Sequence, residues 1–123
     1  MATSYRDLQV WQSSIDLAER VYRLTSTFPK SEIYGLTSQL RRASVSVASN
    51  IAEGWGRRSR RDYQRFIEMA MGSNDELQTQ LIIAERLNFA ESSVIAQAAD
   101  LSDHVGRMLQ GLRKFLERPS PRT

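Results

Sequence analysis

The chain of 123 residues has no cysteine, a single histidine and three prolines. Without cysteine there are no disulfides, no thiolate nucleophile and no cysteine-held zinc or iron–sulfur cluster. One histidine, His104, leaves almost no material for an imidazole-rich metal site or a Ser-His-Asp relay. The prolines stand at Pro29, Pro119 and Pro121, so nothing between them breaks a long helix. No run approaches the ~18 apolar residues of a membrane span. The opening MATSYRDLQV is polar and lacks the apolar core of a secretory signal. A cytoplasmic protein without a membrane segment is expected.

What is present describes a globular chain. Apolar residues make up 41% and charged residues 25%, enough for one core and one domain. The net charge is +3 and the isoelectric point about 9.7.

Apolar residues recur at helical spacing in four segments, and none alternates with the period of a strand. The first runs from about Asp7 to Thr27 and ends at Phe28-Pro29. It bears two stripes roughly 120° apart: Leu8, Trp11, Ile15, Ala18, Tyr22, and Val10, Leu17, Val21, Leu24, Phe28, with Ser14 in the gap. The second starts near Glu32 with Ser31 as N-cap. Its core stripe is Ile33, Leu36, Leu40, Ala43, Val47 and Asn50 or Ile51, flanked by Val45, Ala48, Ala52 and Trp55. Gly54 and Gly56 stop it. The third follows Ser59-x-x-Asp62, a capping-box pattern, with Tyr63, Ile67, Ala70, Asn74, Leu77, Leu81 and Ala84 in register to about Leu87. The fourth begins at Ser92 or Ser93. Its heptad stripe is Val94, Ala98, Leu101, Val105, Met108, Leu112 and Phe115, flanked by Ile95, Leu109 and Leu116.

Four helices of ~20 residues or more with short connections predict an all-α, antiparallel up-down-up-down four-helix bundle over residues 1–118. Residues 119–123 form a short disordered tail. A bundle helix needs one apolar face, and the first helix has two. The stripe of Val10, Leu17, Val21 and Leu24 is therefore expected to be an interface between copies of the chain.

Charge is unevenly placed. Residues 31–65 hold seven arginines against Glu32, Glu53 and Asp62, net +4; residues 66–100 are net −5; residues 101–123 are net +3. The densest run is Arg57-Arg58-Ser59-Arg60-Arg61, at the turn between the second and third helices. Guanidinium forks suit phosphate, the helix start adds free N–H groups, and Trp55 and Tyr63 could stack on unpaired bases. A solvated turn, or one paired with the acids of a neighbouring subunit, is the simpler alternative. Asp100 and His104 sit one helical turn apart but lack the rest of a metal site, and Gly54-x-Gly56 has no phosphate-loop context. Glu68, Asp75, Glu76 and Glu85 read as a solvated acidic face. Asn50 and Glu53 are expected to bond the turn's backbone or an arginine. No nucleophile, general base or metal set converges, so catalysis is the weakest reading.

Several runs together resemble a known family: Tyr5-Arg6-Asp7-Leu8-Gln9-Val10-Trp11, Gln39-Leu40-Arg41-Arg42-Ala43-Ser44, Asn50-Ile51-Ala52-Glu53-Gly54, and Ala70-x-Gly72-Ser73. The chain resembles the four-helix-bundle proteins encoded in intervening sequences of 23S ribosomal RNA genes. It is similar, too, to the accessory variability determinants of diversity-generating retroelements. The resemblance implies a ring-like homopentamer. For the retroelement members it implies RNA or DNA as a partner, with a reverse transcriptase or another protein beside it; from the residues themselves no cofactor is expected. Carried over by position, Arg41, Arg42, Arg57, Arg58, Arg60 and Arg61 are the nucleic-acid contacts, and Asn50, Glu53 and Gly54 fix the turn. The alternative is a protein-interaction scaffold with no direct nucleic-acid contact.

Overall fold

The structure is a computed structural model, and it describes residues 2–118. The tail expected at 119–123 lies outside the described residues. A short 3-10 turn, Tyr5–Asp7, leads into α1 (Gln9–Thr25), and a second, Lys30–Glu32, precedes α2 (Leu36–Trp55). The chain continues as α3 (Arg60–Arg86) and α4 (Ser92–Glu117), with no strand among the described residues. Each helix packs on its two neighbours around a square: α1 on α2, α2 on α3, α3 on α4, α4 on α1. Side-chain pairs set the antiparallel register of α2 and α3. Gln39 meets Gln80 and, seven residues on, Ser46 meets Ser73.

The helix ends follow local chemistry. The Ser59 hydroxyl accepts the Asp62 N–H at 3.0 Å, as the capping pattern predicts. Asn88 turns the chain out of α3 at a φ of 56°, a left-handed conformation that asparagine tolerates. The start of α2 differs from expectation. Ser31 caps nothing there. Gly35 takes a non-helical conformation, and the Glu32 carboxylate reaches forward to accept the Leu36 N–H at 3.0 Å. The helix therefore begins four residues late, leaving Ile33 and Tyr34 on the surface.

The expected stripe of α3 is the buried one, with Tyr63 half-buried, and α2 buries Leu36, Leu40, Ala43, Val47 and Ile51. On α1 the two stripes have exchanged roles. Val10, Leu17, Val21 and Leu24, expected to face another copy, are the inner face, at 7%, 0%, 0% and 2% exposure. A side chain already covered within one chain has no surface left to offer a partner. The outward stripe is the other one, with Ile15 and Tyr22 exposed. On α4 the core is Ile95, Ala98, Ser102, Val105, Leu109 and Leu116, while Val94 and Phe115 point outward.

The reason lies in the serines. Ser14, Ser44 and Ser102 are all fully buried, each at a point where the stripe lacks a large residue. Their hydroxyls are satisfied locally: Ser14 donates to the Trp11 carbonyl at 2.6 Å and Ser44 to that of Arg41 at 2.9 Å. Small side chains there leave room for a neighbouring helix. Ser102 donates instead across the bundle to Asn74 Oδ1 at 2.7 Å, and Asn74 Nδ2 returns a bond to the Ser102 carbonyl at 3.0 Å. This buried pair pins α3 to α4 in one register.

Candidate nucleic-acid interface

The turn between α2 and α3 is built on a close approach. A Cβ on Gly54 would lie 2.9 Å from the Tyr63 ring and 3.0 Å from Phe66 Cβ. Only a residue without a side chain lets α3 fold back so tightly against the end of α2. Gly54→Ala is expected to destabilise the protein by about 1–3 kcal/mol through overpacking, measured as a lowered midpoint in urea unfolding.

Tyr63 fills the space so created, its ring 6.4 Å from that of Trp55 at 82°. Burial holds its phenol above the ordinary tyrosine pKa of 10.0. Ionisation is therefore easier in the unfolded chain. Stability is full below the ordinary value and falls as pH rises through it. Tyr63→Phe is expected to flatten that fall between about pH 9 and about pH 11, read from urea midpoints.

The arginines of the turn divide into two kinds. Arg57 lies 4.4 Å over the Phe66 ring and 3.8 Å from Glu53. Arg60 lies 4.9 Å over the Phe115 ring and donates to the Phe115 carbonyl at 2.6 Å, so it caps the last turn of α4. Arg58 and Arg61 are exposed, with no hydrogen bond or ion pair among the described residues.

The Arg60 contact brings a second basic segment to the same end. Arg113, Lys114 and Arg118, in and just beyond the last turns of α4, stand beside the turn, with Glu117 3.6 Å from Arg113. Arg6 joins them, because Tyr5 lies in the groove beside Ser49 and Ala52 near the end of α2. Sequence reading missed these four. For Arg113, Lys114 and Arg118 the net +3 of residues 101–123 was the signal, but nothing in one dimension places it, or Arg6, against the turn. Together they form a basic pole at one end of the bundle, with Asp7, Glu53, Asp62 and Glu117 as its near acids.

Two of the expected contacts are elsewhere. Arg41 begins a stretch of helix that ends at Trp55, about 21 Å away at 1.5 Å per residue. It is half-buried, 4.7 Å over Tyr22, with Nε donating to Thr25 Oγ1 at 2.8 Å, and it ties α2 to α1. Arg42 is exposed beside a polar cleft of α2 and α3 formed by Gln39, Ser46, Ser73 and Glu76. Asn50 does not bond the turn. It donates to the Ser46 carbonyl and hydroxyl at 2.9 and 3.1 Å, and through Ser46 it reaches Ser73. Glu53 meets Arg57, as expected of a carboxylate there. Trp55 is half-buried against Tyr63 rather than free-standing.

His104, Asp100 and Asp103 are exposed on α4, and no group of three or more His, Cys, Asp or Glu among the described residues could hold a metal ion. No described helix is long and apolar enough to cross a membrane.

Residues 6–111 match the family model of the 23S rRNA-intervening sequence protein. Among solved structures, the chain is similar to a protein of unknown function from the S23 ribosomal protein family of Bacteroides thetaiotaomicron. The two superpose with a TM-score of 0.80 at 20% identity, over 85% of this chain and 98% of the other, a likeness of fold. No curated protein matches the chain.

Proposed function

The chain belongs to the 23S rRNA-intervening sequence protein family, and on that premise we propose a non-enzymatic, self-associating protein of the cytoplasm that holds RNA or DNA through its basic pole. The observation that carries this reading is the meeting of the α2–α3 turn with the end of α4. Arg6, Arg58, Arg61, Lys114 and Arg118 stand there exposed, against the acids Asp7, Glu53, Asp62 and Glu117.

The pole addresses the phosphate backbone rather than the bases. Its aromatic rings are engaged within the chain, Phe66 under Arg57, Phe115 under Arg60 and Trp55 against Tyr63, while the free groups are cations. Binding of that kind is tolerant of sequence and steep in salt. Assembly as a ring-like homopentamer would repeat the pole around one axis and raise affinity through multivalency.

Fluorescence anisotropy with labelled single- and double-stranded RNA and DNA at several salt concentrations tests the reading. The logarithm of affinity should fall linearly with the logarithm of salt, with a slope of about −0.9 per phosphate contacted on duplex DNA. No binding at the lowest salt overturns it. A scaffold for another protein is the second reading, favoured by the exposed apolar groove between α1 and α2. Partners captured from lysate that survive nuclease treatment would support the scaffold; partners lost would support nucleic acid.

A further inference from the structure

The polar cleft between α2 and α3 lies outside the basic pole. Its volume is about 510 Å³, within the ~300–1,000 Å³ of small-ligand sites. Arg42 and Glu76 are the two charged side chains that line it. The register that sets Gln39 by Gln80 and Ser46 by Ser73 brings Glu76 level with Arg42 and Ala43. Both side chains are exposed, and they form no ion pair with each other.

The cleft holds hydrogen-bonding capacity that the chain does not use. The Arg42 guanidinium has no partner among the described residues. The Glu76 carboxylate accepts one bond, from Gln80 Nε2 to Oε1 at 3.2 Å, and its Oε2 is open. Ser46 and Ser73 share one hydrogen across 2.9 Å, and Asn50 Nδ2 donates to Ser46 at 3.1 Å. Whichever hydroxyl donates, the hydrogen of the other is unspent. Gln80, 5% exposed, holds Glu76 and Gln39 from behind, and its own Oε1 is buried with no partner.

The two charges of the cleft cancel, and this selects the ligand. A phosphate would meet Glu76, and an ammonium group would meet Arg42. A neutral group with one accepting edge and one donating edge suits both. Of the four bases only guanine presents two acceptors in a row, N7 and O6, followed by two donors, N1–H and the N2 amino group. A guanidinium fork takes the first pair and a carboxylate the second. Cytosine has a single donor group, and adenine and uracil alternate donor with acceptor.

We infer that this cleft takes one unpaired guanine from the strand gripped at the basic pole, with Arg42 on its N7 and O6 edge and Glu76 on its N1–H and N2 edge. The inference rests on the nucleic-acid reading above and adds a base preference that the pole does not supply. In a duplex the N1–H and N2 edge is spent on cytosine, so the guanine must be in a single strand or a loop. Arg42 lies about 20 Å along α2 from Trp55, a reach covered by the ~4–16 nucleotides of single-strand binding sites. The charges on the way balance. Glu53 is held by Arg57, and Arg65 precedes Glu68 on α3. Arg41 and Asp75 do not enter the cleft, since Arg41 lies over Tyr22 and Asp75 lines the α3–α4 side.

Anisotropy with labelled single strands of about 12 nucleotides tests the assignment. One strand is oligouridine with a central guanine, and the others carry adenine, cytosine or uracil at that position. Deoxy versions of each show whether RNA, DNA or both supply the base. The guanine strand should bind roughly tenfold more tightly than the rest, the discrimination of a bidentate contact. Inosine, which lacks the N2 amino group, and 7-deazaguanine, which lacks N7, should each lose part of that gain. Duplexes should show no preference. Arg42→Ala and Glu76→Gln, with folding checked by circular dichroism, should each bring the guanine strand close to the level of the uracil strand and leave the salt slope in place.

Equal affinity for all four strands, or a stronger preference for another base, overturns the inference and leaves the nucleic-acid reading standing. A guanine preference that survives both substitutions, or that is indifferent to inosine and 7-deazaguanine, overturns the assignment to this cleft. Absence of binding to every strand at the lowest salt overturns the nucleic-acid reading and this inference with it.

Discussion

Replacing Arg58, Arg61 and Lys114 together by alanine should weaken nucleic-acid binding by roughly 10²–10³-fold at 0.1 M salt and flatten the salt slope by about three units, one per lost phosphate contact. The thermal midpoint should barely move, because all three side chains are exposed and hold nothing else in place among the described residues. Arg60→Ala is the contrasting variant. It removes the donor to the Phe115 carbonyl and the guanidinium over that ring, so it should destabilise the end of α4. Its loss of binding should track that loss of structure. Anisotropy titrations paired with thermal melts separate the two behaviours. If the triple variant binds with unchanged salt dependence, the pole is not the contact. Arg41→Ala, far along α2, should cost stability through the lost link to Thr25 and Tyr22 and leave the salt slope as it was.

Leu17→Ala should lower stability by about 2–5 kcal/mol, equivalent to a fall in melting temperature of roughly 8–20 °C for a chain of this size. Leu17 is 0% exposed in the inner face of α1, and its removal leaves a cavity that neighbours close only in part. Urea unfolding and calorimetry measure the cost. The assembled mass of the folded fraction should not change, since the side chain touches only its own chain's core. The opposite pattern, a lost assembly with an undisturbed monomer, is what an intersubunit position would give. The comparison Ile15→Ala, on the outward stripe of the same helix at 40% exposure, should show a small stability effect and act on assembly instead.

Four helices could be read directly from the chain because periodicity is a local property. Ser59 three residues before Asp62 announced the start of α3, and the stripe from Tyr63 to Ala84 fell where the core is. Gly54 was legible as a turn residue, though not its reason, since the Tyr63 and Phe66 atoms that exclude a Cβ come from the returning helix. On α1, a stripe broken by Ser14 looked like a surface and is the core. Periodicity weighs side chains one at a time, and the space that a serine frees belongs to the neighbouring helix. The start of α2 was misplaced for a related reason. Glu32 caps four residues ahead of itself, and only the folded Gly35 turn brings its carboxylate there.

By itself, then, the sequence determined the helix count, the approximate helix lengths, the core face of α3 and the density of arginine at one turn. All of these follow from spacing along a single chain. Tertiary structure alone decided which stripe of α1 and of α4 faces inward, which arginines are free and which are spent on Phe66, Phe115 and Tyr22, and that the end of α4 completes the basic pole. Those outcomes depend on the close packing of residues far apart in the chain. An amphipathic helix with two apolar stripes has no inside until a second helix lies against it.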